Sequence, residues 1–129
     1  MKYVIAIILI LVGFGCAHQQ TIDREGVRKS VRNSLGDFKR CYENEYKKDK
    51  TVQGKIVLTW EIHEGGVARN VHTNTEKSEL RNPQLENCMI SVMSSIQFPS
   101  PPKNTIAEVA GYPFVFAEVP DDKTETIKN

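Results

Sequence analysis

The chain of 129 residues carries 17 Lys and Arg against 16 Asp and Glu, with three cysteines and three histidines. That length supports one small domain. The near balance of charge argues against a dedicated nucleic-acid binder, which would show a clear basic excess.

Met1 and Lys2 are followed by a run from Tyr3 to Phe14 that is entirely apolar or glycine, and Gly15-Cys16 closes it. A charged start and a short apolar stretch read as a secretory leader. At about 13 residues the stretch falls short of the roughly 20 needed to cross a bilayer as a helix. The ending VGFGC resembles the lipobox of bacterial lipoproteins, whose cysteine is diacylated and becomes the first residue of the mature chain. Residues 1–15 are therefore expected to be a signal peptide, and 16–22 a lipidated N-terminus and short linker held to the bilayer through Cys16. Ala17, rather than aspartate, follows the cysteine, which points to the outer membrane more than the inner. Without the leader, basic and acidic groups balance at 16 each, in keeping with a periplasm-facing address.

From Asp23 to Lys48 the apolar positions Val27, Val31, Leu35, Phe38, Tyr42 and Tyr46 recur every three or four residues. This spacing predicts one amphipathic helix, with Cys41 at the edge of its stripe and Gly26 and Gly36 as weak points. Gln53 to His63 alternates, with Ile56, Leu58, Trp60 and Ile62 on one face, and reads as a half-buried strand. Glu64-Gly65-Gly66 is turn chemistry, so Val67 to Thr75 is expected to return as the second arm of a hairpin. Asn82 is the expected N-cap and Pro83 the first residue of a second helix, whose stripe is Leu85, Cys88, Met89, Val92 and Ile96. After the stiff FPSPP segment, Thr105 to Val119 places Tyr112, Phe114 and Phe116 at period two, a third strand. Pro113 has no N–H to donate, which makes that strand an edge or a bulged one. The fold expected is α+β in the order αββαβ: a three-stranded antiparallel sheet with two helices packed on one face, over residues 23–118. The polar segment 119–129 reads as a flexible tail.

With Cys16 assigned to lipid, Cys41 and Cys88 remain as a pair in an oxidising compartment, where thiols of small exported domains tend to be joined. Such a bridge would staple the first helix to the second and contribute roughly 4 kcal/mol on the chain-entropy model. A redox-active dithiol and two unpaired core cysteines are the rival readings, although no C-x-x-C spacing is present.

Several separated motifs then fall in order: R-C-Y-E at 40–43, G-K-I-V-L at 54–58, G-x-V at 65–67, N-P-x-L-E-N-C at 82–88, F-P-x-P at 98–101 and Y-P-F-x-F at 112–116. Together they cover about residues 26–117 and resemble the AgmX/PglI C-terminal domain family. The resemblance implies a fold similar to the C-terminal domain of TonB, a paired Cys41 and Cys88, and a link to gliding motility. TonB-type transducers carry a long stalk, whereas here only Ala17 to Ile22 separates Cys16 from the first helix. Six extended residues reach about 20 Å, so the domain is expected to sit close to its membrane.

No nucleophile elbow, glycine-rich phosphate loop or paired-carboxylate motif is evident, so no enzyme, cofactor or small-molecule substrate is expected. His18, His63 and His72 lack metal-ligand spacing, and His63 and Glu61 read as residues of a solvent-facing sheet. Arg24, Arg28, Lys29, Arg32, Lys39 and Arg40 make the first helix basic, either toward anionic headgroups or as a solvated face balanced by Glu25, Asp37 and Glu43. Two functions of different kind remain. One is a binding module that captures a segment of an envelope protein on the third strand, with Ile106, Val109, Tyr112, Phe114 and Phe116 as contact residues. The other is a structural lipoprotein that docks or self-associates through its exposed sheet face around Glu61, His63 and Arg69.

Overall fold

The computed structural model describes residues 22–117; the expectations for Cys16, the leader and the tail lie outside the described residues. The first helix, α1 (Arg24–Asn33), begins where Asp23 accepts a hydrogen bond from the Gly26 N–H at 2.8 Å, and it buries Val27 and Val31. Ser34 then leaves the helix, and α2 (Leu35–Lys48) starts from its carbonyl, which accepts from Asp37 and Phe38. The single helix expected over 23–48 is therefore two. Closely spaced serine and glycine, here Ser34 and Gly36, are a recurrent cause of such kinks. The break moves Leu35 off the buried stripe, to 48% exposure, while Phe38, Cys41 and Tyr42 turn into the core.

Strand β1 (Gly54–His63) buries Ile56, Leu58, Trp60 and Ile62 against the helices by strand alternation, and Val57 of the other face is buried as well, where the half-buried reading left it toward solvent. The turn at Glu64-Gly65-Gly66 leads into β2 (Val67–Thr73), and α3 (Pro83–Ser95) follows. Asn82 caps α3 as expected: its side chain accepts from the Leu85 N–H at 2.9 Å, and Glu86 returns the favour to the Asn82 N–H at 3.1 Å. Leu85, Met89 and Met93 form its buried line, so Met93 takes the place expected of Val92, and Cys88 lies at the half-buried margin. Cys41, expected at the margin of its own stripe, is the buried partner. The two cysteines are joined, with Cα atoms 5.8 Å apart, and fasten α2 to α3.

Strand β3 (Ala107–Phe116) completes an antiparallel sheet in the order β2-β1-β3. The architecture is α+β, with three helices rather than two. Both outer strands slip by one residue opposite the same part of β1, β2 between the partners of Thr59 and Glu61, β3 between those of Leu58 and Trp60. Asn70 on β2 and Gly111 on β3 stand at these bulges with positive φ, 51° and 87°. On β3 the extra residue re-phases the strand, so that Val109 and Tyr112, three apart, both pack against the core. Trp60 fills the space behind the bulges, with Phe98 and Tyr112 rings 5.7 and 5.9 Å from its own.

Candidate functional site

β1 is saturated on both sides. Along its upper part it pairs with β2, and below that Asn74 donates to the Val57 carbonyl at 2.7 Å, Ser78 Oγ accepts from the Val57 N–H, and Glu79 and Leu80 donate to the Lys55 carbonyl. The outer edge of β2 is partly closed as well. Gln97 bridges to Val67, and the Phe98 N–H donates to the Gly66 carbonyl at 3.0 Å. That approach is why residue 66 is glycine: its φ is +77°, and a Cβ there would stand 1.9 Å from the Phe98 carbonyl oxygen.

The remaining edge is that of β3, which has no strand beyond it among the described residues. Because the polar backbone groups of Val57 and Lys55 turn toward β2, their partners Pro113 and Val115 sit at non-hydrogen-bonded positions of the β1–β3 ladder. Pro113 thus costs that ladder nothing. The N–H and carbonyl of Val115 and the carbonyl of Pro113 face outward, available to another strand.

Beside this edge runs a trough, mainly apolar along α2 and mixed along α1. One part, about 440 Å³, lies between Leu35, Phe38 and Lys39 of α2 and residues 112–116 of β3. A second, about 450 Å³, lies between Arg24, Val27 and Arg28 of α1 and residues 108–112, and the two meet at Tyr112. A third, about 240 Å³, continues past Glu108 toward Pro99, Pro102 and Ile106. Three of the four large apolar side chains most exposed to solvent border it: Leu35, Ile106 at 59% and Val115 at 73%. Tyr42 holds the α2 wall in place. Its hydroxyl lies 3.0 Å from the Val52 carbonyl oxygen and 3.2 Å from that of Ala117, and its ring stacks on Phe116 at 4.7 Å.

The residues singled out from sequence divide sharply. Phe114 is buried, and Val109, Tyr112 and Phe116 pack against the core, lining the trough from below. Ile106 precedes the strand and is exposed. What the edge presents outward is backbone and Val115, the position skipped by the period-two reading. The signal for it was the alternation itself, which sets residue 115 on the face opposite Phe114 and Phe116.

On the opposite sheet face, Glu61 Oε2 lies 2.8 Å from both His63 Nε2 and Asn70 Nδ2. The hydrogen bond from His63, reinforced by that from Asn70, holds the Glu61 carboxyl below its usual range. His72 instead contacts the Asn70 carbonyl at 2.8 Å. Among the described residues no three His, Cys, Asp or Glu side chains are placed to hold a metal ion, and no helix is long and apolar enough to cross a membrane.

No family model, curated protein or solved structure matches the chain.

Proposed function

We propose that the protein is a non-enzymatic module, tethered to the membrane through an acylated Cys16 and facing the periplasm, that captures an extended segment of an envelope protein by strand addition to β3. The observation that carries this reading is the outward-facing backbone of Val115 and Pro113 beside an apolar trough. Main-chain pairing supplies affinity in such complexes and side-chain pockets supply selectivity. The resemblance of the R-C-Y-E and Y-P-F-x-F segments to the AgmX/PglI domain agrees with this role and suggests a motility, adhesion or TonB-like transport apparatus, by analogy alone.

A photo-cross-linking amino acid in place of the exposed Leu35, in the full chain in its native host, tests the reading. It should yield an adduct with an envelope protein. Val115→Pro in the same chain removes the outward donor without touching the β1 ladder and should abolish the adduct while melting temperature stays within a few degrees. Arg69→Glu, on the exposed sheet face of β2, should leave the adduct intact. The reverse pattern, an adduct insensitive to Val115→Pro but lost with Arg69→Glu, would instead make the chain a structural lipoprotein that docks through its sheet.

A further inference from the structure

Along the Val109–Phe116 part of the β3 edge the charges are one-sided. On the helix side, Arg24 and Arg28 line the trough beside Glu108 to Tyr112, and Lys39 lines it beside Tyr112 to Phe116. On the other face of the strand, Lys77 reaches across the bulge, with Nζ 3.5 Å from the position that a Cβ on Gly111 would take. Lys39 shares its charge with Glu43 at 3.5 Å. Among the described residues Arg24, Arg28 and Lys77 have no ion-pair partner. The nearby Asp23 carboxylate is engaged by the α1 N-terminus through Gly26. Glu108 is the one acidic residue of β3 and stands where the second and third parts of the trough meet, outside the stretch from Val109 to Phe116. From Val109 to Phe116, every formal charge lining the trough on the helix side, and the lysine over the strand's other face, is positive.

We infer that the segment captured at β3 is acidic as well as extended, with carboxylates alternating with apolar side chains. The inference rests on the proposed capture at this edge. An added strand directs successive side chains to opposite faces. Its carboxylates meet a cation whichever way it turns: Arg28 and Lys39 on the helix side, Lys77 on the other. The apolar residues of the opposite set then cover either the trough floor around Phe38 and Phe114 or the exposed Val115. A strand bearing lysines at the same positions is repelled from both faces, so the cations select the partner as well as attract it.

The probes are three seven-residue peptides with blocked termini, in which valine alternates with glutamate, threonine or lysine, titrated calorimetrically into the full-length chain in detergent. The glutamate peptide is expected to bind at least tenfold more tightly than the threonine peptide, with the lysine peptide weakest. Because these charges are exposed, the preference should shrink as ionic strength rises and the screening length falls from about 10 Å toward 3 Å. Arg28→Glu with Lys77→Glu should invert the order, and Arg28→Gln with Lys77→Gln should flatten it. Arg69→Glu, on β2 with β1 between it and β3, should leave the order of the three peptides unchanged, and melting temperatures check that each variant is folded. Equal binding of all three peptides overturns the charge inference while leaving strand capture in place. Failure of all three to bind overturns both. A preference that survives the double charge reversal also overturns the inference, since the selection would then come from elsewhere.

Discussion

Breaking the bond between Cys41 and Cys88 is expected to remove a large share of this domain's stability. The two residues are separated by 47 positions, and the bridge fastens α2 to α3. On the chain-entropy model a closed loop of that size contributes roughly 4 kcal/mol, because the reduced unfolded chain regains freedom that the bridged one lacks. The usual stability of a domain this small is about 5–10 kcal/mol, so the reduced protein should be only marginally folded. For a domain under 100 residues the loss corresponds to a fall in melting temperature of about 15–30 °C. The assay is urea and thermal unfolding with and without dithiothreitol, compared with the Cys41→Ala, Cys88→Ala double variant, which should be at or somewhat below the stability of the reduced protein and ignore reductant. Since Cys41 is buried, the double variant also loses some packing, and reduction of the unaltered chain isolates the cross-link itself. A loss below about 1 kcal/mol on reduction would refute the reasoning, because the reduced unfolded state would then have to be nearly as restricted as the bridged one.

Tyr42→Phe keeps the stack on Phe116 but takes the hydroxyl from the Val52 and Ala117 carbonyls, and should cost about 1–2 kcal/mol in urea unfolding. Gly66→Ala should cost roughly 3 kcal/mol, combining left-handed backbone strain with displacement from Phe98, whereas Gly65→Ala, at a similar φ but with open space around it, should cost about 1. Glu61→Gln tests the sheet-face cluster by its pH dependence. Its carboxyl is held below the usual range by His63, so its contribution is present at neutral pH and fades as pH falls through about 4.5 and below. The melting-temperature gap between the unaltered chain and the variant should therefore close on acidification; a gap that widens would count against the cluster.

Elements of short range were legible in the residues. The Asn82-Pro83 start of α3, the Gly65-Gly66 turn and the alternation of β1 all depend on contacts within a few positions, and each appears where its local chemistry placed it. The pairing of Cys41 with Cys88 was legible too, through redox context and resemblance rather than geometry. The kink was half legible. Gly36 marked a weak point in the 23–48 helix, but periodicity alone carried the stripe straight through Leu35.

What the order of residues determined by itself is the three strands, the start of α3 and the restriction of Pro113 to an edge or a bulge, since hydrogen-bond capacity and side-chain period are local properties of the chain. The division of the 23–48 helix and the places of Leu35 and Met93 came from packing. Only the tertiary structure decided which edge stays open. Residues 74–80 close one side of β1, Gln97 and Phe98 close part of β2, and paired bulges at Asn70 and Gly111 bend the sheet behind Trp60. It also brought Arg28 and Lys77, far apart in the chain, to opposite faces of one strand. Such placements arise from pairing and packing between distant segments, and no window of a few residues contains them.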